Sequence, residues 1–132
     1  MEKNITKTKT MDFAIRIVKL CNYLKDNQKE FALSAQLLRS GTSIGANFRE
    51  AQNAVSQKDF VNKISIALKE ANETEYWLEL LLRTKYLSQK EYENIYVDCN
   101  ELVCLLTAIV KTSKHNVKTM NNSQLSTLNS QL

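Results

Sequence analysis

The stretch Gln36-Leu37-Leu38-Arg39-Ser40-Gly41-Thr42-Ser43-Ile44-Gly45-Ala46-Asn47-Phe48-Arg49-Glu50-Ala51 decides how this chain folds. Both glycines of the protein fall inside it, within what otherwise reads as a continuous helix. A glycine in a helix interior costs about 0.5–1 kcal/mol relative to alanine. Two of them four residues apart, with Ser40, Ser43 and Ala46 around them, predict that another element packs tightly against this backbone. Leu37, Ile44, Phe48, Ala51 and Val55 recur at helical spacing and form one apolar face. Arg39, Ser40, Ser43, Asn47 and Glu50 form another, a small and polar stripe.

Composition points the same way. The chain has 132 residues, no proline and only two glycines, too few turn formers for an all-β sandwich or a doubly wound sheet. The expected class is all-α, one domain around one core. The first residues carry no apolar h-region, so no secretory signal is read there. The longest strongly apolar run, Leu102 to Val110, is far below the roughly 18 residues of a membrane span. Cys21, Cys99 and Cys104 are odd in number and lack a C-x-x-C pair, which indicates neither a disulfide framework nor a zinc site. Each sits among apolar helical residues and is expected to be a small buried hydrophobe. A reduced, cytoplasmic protein without a membrane partner is expected.

Net charge is +4, and residues 1–29 hold all of it. Seven cations, among them Lys9, Arg16, Lys19 and Lys25, stand there against three acids, and the remainder balances to about zero. A basic segment on a neutral body suits phosphate binding. It is also a common way to keep a surface helix soluble, and that is the more frequent reason for such a segment.

Periodicity predicts four helices. Residues 1–9 are expected to be a flexible N-terminus, and the bundle to occupy residues 10–114. The first helix should run from Thr10 to Asn27 on a stripe of Phe13, Ile17, Leu20 and Leu24. The second should start near Ser34, capped by the Ser34 hydroxyl, and reach about Ala54. Ser56-Gln57-Lys58-Asp59 resembles a capping box and opens a third helix to about Thr84. Phe60, Ile64, Ala67, Ala71, Leu78 and Leu81 mark its core face. Ser88-Gln89-Lys90-Glu91 is a full capping-box pattern and opens a fourth helix to about Ser113. Its stripe is Tyr92, Ile95, Cys99, Leu102, Leu106 and Ile109. Short connections make sequential helices antiparallel, an up-down-up-down bundle. Residues 115–132 are polar and echo Asn-Ser-Gln-Leu at 122–125 and 129–132, so a disordered polar tail is expected.

A helix in a solitary bundle keeps its outer side polar. Tyr76 to Leu82 and Leu102 to Val110 are apolar almost all round, which predicts self-assembly through one end of the third and fourth helices, with Trp77 and Leu105 in the contact. Catalytic constellations are lacking. His115 is the only histidine and has no ligand-spaced companion, and neither a phosphate-binding glycine loop nor a Glu-x-x-His pair occurs. No metal, no cofactor and no enzymatic activity are expected. Arg39, Asn47, Arg49 and Glu50 of the second helix, with Glu70 and Glu73 of the third, are expected to form a structural or interface network near the glycines.

Gln36-x-x-Arg39-Ser40-x-x-Ser43-Ile44-x-Ala46-Asn47-x-x-Glu50, then Asp59-Phe60 and Ile66-Ala67-Leu68-x-x-Ala71-x-Glu73-Thr74, is similar to the bacterial four helix bundle protein family. Its founding members are encoded by intervening sequences inside large-subunit ribosomal RNA genes, and the accessory variability determinant of diversity-generating retroelements resembles them. The resemblance covers roughly residues 12–110 and implies a left-handed bundle that assembles as a ring, commonly a homopentamer, with a basic surface. The retroelement relative implies binding to nucleic acid and to another protein, a reverse transcriptase. Lys69-Glu70 departs from the Gly-Ser of many members and is expected to alter close packing there.

Two readings follow. In one the protein is a homo-oligomeric accessory protein that binds RNA or DNA without sequence preference, through Lys9, Arg16, Lys19, Lys25, Arg39 and Arg49. In the other it is an oligomeric scaffold for a protein partner. In both, Arg39, Ser40, Gly41, Ser43, Gly45, Asn47, Glu50, Glu70, Glu73, Trp77 and Leu105 serve structure or assembly.

Overall fold

The computed structural model describes the backbone of residues 2–131 and the side chains of residues 4–119. Four helices follow one another: α1 (Glu2–Gln28), α2 (Ala32–Gln52), α3 (Gln57–Arg83) and α4 (Gln89–Gln131). Each packs along its successor, and α4 returns to α1 through a thinner seam. Lys9 meets Glu101 and Arg16 meets Asp98, so α1 and α4 run antiparallel. This is the up-down-up-down bundle.

Buried positions alternate by three and four. They are Leu37, Gly41, Ile44, Phe48 and Ala51 on α2, and Phe60, Ile64, Ala67, Ala71, Thr74, Leu78 and Leu81 on α3. Ile95, Cys99, Leu102, Leu106 and Ile109 do the same on α4. A 3.5-residue repeat is shorter than the helical 3.6 and drives left-handed supercoiling, so the core lies along the bundle axis.

Helix ends follow local chemistry. Ser56 Oγ accepts from the Asp59 N–H at 3.0 Å, and the Asp59 carboxylate reaches the Val55 N–H at 3.4 Å. At α4 the box is reciprocal: Ser88 Oγ accepts from the Glu91 N–H at 3.1 Å, and Glu91 Oε1 from the Ser88 N–H at 2.8 Å. The start of α2 differs from expectation. The helix begins at Ala32, and the Glu30 carboxylate accepts from both the Leu33 and Ser34 N–H groups at 2.7 Å. Ser34 instead turns its hydroxyl back to donate to the Glu30 carbonyl at 2.9 Å. A carboxylate with two oxygens holds two helix-start donors, which one hydroxyl cannot.

α1 also begins earlier than expected, at Glu2, where a flexible N-terminus over residues 1–9 was anticipated. Thr6 and Thr10 continue the inward stripe of Phe13 and Ile17 and are buried. Small threonines fit there because α2 offers Gly45 opposite Thr10. α4 passes Ser113 and continues to Gln131. Side chains beyond Thr119 lie outside the described residues, and with them most of the tail expected to be disordered. Val55 is not part of the α2 face: it lies past the helix end and is 94% exposed.

The two turn positions that most favour glycine hold lysines. Lys29 has φ 54° and Lys85 φ 69°. Around Lys85, the Tyr86 N–H bonds the Leu81 carbonyl at 2.9 Å and the Lys85 N–H the Leu82 carbonyl at 3.0 Å, a Schellman ending. Both glycines are instead committed to the α1–α2 contact.

Candidate functional site

A Cβ on Gly41 would stand 2.9 Å from Ile17 Cγ1 and Cγ2, and one on Gly45 would stand 3.3 Å from Thr10 Cβ. The glycines therefore let α1 lie close against α2, as the sequence predicts. Just outside this contact the two helices leave an open cleft of about 760 Å³. Its floor is made of small or flexible side chains, Met11 and Ala14 of α1 with Ala46 of α2, and Gly45 beside them. Lys7, Arg49 and Lys63 line it, as do two carboxylates. Both carboxylates are engaged: Glu50 pairs with Lys63 at 3.0 Å, and Asp59 faces the Val55 N–H. Lys7 and Arg49 are left as its unpaired charges.

Part of the polar stripe of α2 faces α3. Arg39 lies against Glu73 and pairs with Glu70 at 3.3 Å. The hydrogen bond that Arg39 donates to Glu73, first among several causes, raises the Arg39 pKa and keeps the guanidinium charged. Ser40 is buried and accepts from the Thr74 hydroxyl at 3.0 Å, while Ser43 and Asn47 bond back to their own helix. Arg49 takes no part in this network.

The six cations singled out in the sequence do not converge. Lys9 pairs with Glu101 at 2.8 Å, and Arg16 lies against Asp98 and Asn94, so both close the α1–α4 seam. Arg39 is neutralised at α2–α3, Arg49 stands in the cleft, and Lys19 is exposed on α1. Lys25 belongs to a different pattern. Lys7, Met11, Val18 and Lys25 follow i, i+4, i+11 and i+18, which places them on one stripe with Ile15 beside it. Met11, Ile15 and Val18 are 45%, 46% and 41% exposed. Of the nine large hydrophobics exposed among the described residues, five are on α1. The i, i+4, i+7 signal of Met11, Ile15 and Val18 was present in the sequence, but the stronger inward stripe of Phe13 and Ile17 masked it.

The ends of α3 and α4 are better covered than their composition suggests. Trp77, Val103 and Leu105 are half-buried against the core, and in the α3 segment Tyr76 alone of the large apolar side chains is freely exposed, at 58%. Tyr76 meets Trp77 edge-on, and Tyr92 stacks on Tyr96 with ring centres 5.4 Å apart. Burial first, then Tyr96, Glu79 and Glu75, raises the Tyr92 pKa. One oxygen of Glu75 is shut off from solvent without a hydrogen-bond partner, and desolvation raises its pKa. The Trp77 indole N–H is likewise buried and unpartnered.

Burial pushes the Cys21 thiol up to about 11 and the Cys99 thiol higher still. Cys104 departs from expectation: it is exposed on the outer side of α4. Among the described residues no group of three His, Cys, Asp or Glu side chains is placed to hold a metal ion, and no helix is long and apolar enough to cross a membrane.

Residues 2–108 match the family described as 23S rRNA-intervening sequence protein. A crystal structure of a protein of unknown function from the S23 ribosomal protein family of Bacteroides thetaiotaomicron superposes with a TM-score of 0.83 at 58% sequence identity, covering 84% of this chain and 99% of that one. No curated protein matches. On the helical pattern, the glycine contact and this match over most of its length, the chain belongs to the 23S rRNA-intervening sequence protein family.

Proposed function

We propose that this protein is a non-enzymatic building block that assembles with copies of itself. The observation that supports it is the outer stripe of α1, where Met11, Ile15 and Val18 present apolar surface between two lysines. Contiguous exposed apolar surface of this kind marks interaction sites on soluble proteins. Five copies are favoured, the number implied by the family resemblance. Light scattering of the purified chain at micromolar concentration tests this: a mass several times 15.2 kDa is expected, and a stable 15.2 kDa species refutes it.

A second reading, nucleic-acid binding by the assembly, draws on charge. Five copies at +4 carry a total of about +20, which concentrates phosphate contacts. Lys9, Arg16 and Arg39 are neutralised within each copy, so exposed and unpaired lysines such as Lys19 carry the reading. Fluorescence anisotropy with mixed-sequence RNA and DNA is expected to show weak binding that falls steeply with salt, because phosphate contacts release counterions. No binding at moderate salt would leave a protein scaffold.

A further inference from the structure

The cleft between α1 and α2 holds charge that the fold itself does not use. Its two carboxylates are taken, Glu50 by Lys63 at 3.0 Å and Asp59 by the Val55 N–H at 3.4 Å. Its threonine hydroxyls donate to their own helices, Thr10 to the Lys7 carbonyl at 3.0 Å and Thr42 to the Leu38 carbonyl at 2.7 Å. Lys7 and Arg49 remain as strong donors without an acceptor. Both also line an adjoining hollow of about 410 Å³, so they stand where the two spaces meet, and Asp12 lines only the smaller one.

Helix register puts the two cations at one end. A Cβ on Gly41 would meet Ile17 and one on Gly45 would meet Thr10, so α1 and α2 run antiparallel. Lys7 lies one turn before Thr10 and Arg49 one turn after Gly45, the same direction along the cleft. In the other direction Ala14 and Thr42 line it. With Gly45 and Ala46 they make a smooth floor, and flexible Met11 stands beside it. A volume of about 760 Å³ lies within the range of small-molecule sites. A flat ring can lie on such a floor while an anionic substituent reaches the Lys7 and Arg49 end. A guanidinium and an ammonium together match the oxygens of a phosphate. Glu50 and Asp59 also line the cleft and would repel a second phosphate, which favours a single phosphate over a polynucleotide backbone.

We propose that this cleft binds a small aromatic phosphate monoester, with its ring on Ala14, Gly45 and Ala46 and its phosphate held by Lys7 and Arg49. The site goes beyond the self-assembly reading and does not depend on it.

Naphthyl phosphate is a probe of this class, with naphthol and inorganic phosphate as its two halves. Titrated into the full chain and followed by NMR, it is expected to shift the methyl resonances of Ala14 and Ala46, and each half is expected to bind about tenfold more weakly. Arg49→Gln and Lys7→Gln, both at exposed helical positions, are expected to keep the parent circular dichroism and to weaken binding about tenfold each. Ala46→Leu is expected to weaken it by filling the floor. Lys19→Gln, at an exposed lysine outside the cleft, is expected to leave it unchanged. Binding that survives Arg49→Gln overturns the site, and so does an equal loss in Lys19→Gln, which would mean diffuse charge. Naphthol binding as tightly as its phosphate overturns the role of the cations. Mixed-sequence RNA that shifts Ala14 and Ala46 where the probe does not would give the cleft to nucleic acid instead. Light scattering of the same samples keeps the two readings apart. A monomer that binds the probe refutes assembly alone, and an oligomer that does not bind it refutes the site alone.

Discussion

Gly41→Ala is expected to destabilise the bundle although alanine is the better helix former. The new Cβ would lie 2.9 Å from two carbons of Ile17, against an ordinary contact that begins at 3.4 Å, so α1 or Ile17 must yield by 3.4 − 2.9 = 0.5 Å. Ile17 is fully buried and its β-branched side chain has little rotamer freedom, which leaves movement of α1 as the relief. Overpacking of this kind costs about 1–3 kcal/mol. The helix returns about 1 kcal/mol. The net loss is about 1 kcal/mol, a fall of roughly 3–5 °C in melting temperature for a chain of this size. Gly45→Ala is the internal control. Its Cβ would stand 3.3 Å from Thr10, short by only 0.1 Å, so the helix gain of up to about 1 kcal/mol prevails. Urea unfolding followed by circular dichroism measures both. In an Ile17→Ala background only the Cβ of residue 17 remains nearby, at 3.3 Å as at Gly45, and Gly41→Ala is expected to stabilise. If Gly41→Ala proved as stable as Gly45→Ala in the parent, α1 could not lie as close to α2 as described.

Glu30→Ala removes the acceptor of two helix-start N–H groups and is expected to cost about 1–2 kcal/mol, seen as a lower urea midpoint. Glu75→Gln tests the shut-off carboxyl. Its folded pKa is raised, so the folded state holds the proton more tightly than the unfolded state; the parent loses stability as pH rises through the carboxyl range, and Glu75→Gln should flatten that loss in melts at acid and neutral pH. Equal pH dependence in both proteins would contradict the desolvation. With a disulfide reagent at pH 8, one thiol of three, Cys104, is expected to react in the native chain, and Cys21 and Cys99 only on unfolding.

What was legible in the sequence depended on how local the cause was. The boxes at Ser56 and Ser88 are closed by residues three apart, and both formed where expected. The apolar members of the α3 core stripe were all read from their spacing, and only Thr74 was passed over, because a hydroxyl does not look like a core residue until Ser40 of α2 accepts its hydrogen bond. Glu30 was missed because a hydroxyl four residues later looked like the cap, and only the bend of the chain brings a glutamate carboxylate over the helix start. The burial of Thr10 was missed because it depends on Gly45, 35 residues away. The cations at Lys9, Arg16 and Arg39 were recognised as charges, but their neutralisation is a property of which helices become neighbours. The outer stripe of α1 was spelled in plain i, i+4, i+7 spacing and was outweighed by the larger stripe facing inward.

The seam between α1 and α4 makes fewer contacts than the other three and is tied by two partly solvated ion pairs, Lys9–Glu101 and Arg16–Asp98. Such pairs weaken with salt. Native-state hydrogen exchange is expected to divide the molecule accordingly, with α1 amides exchanging through a salt-sensitive opening and α3 amides only on global unfolding. The seam also cannot form until α4 has been synthesised. Of these four helices, the one synthesised first is the last to have its outer edge sealed.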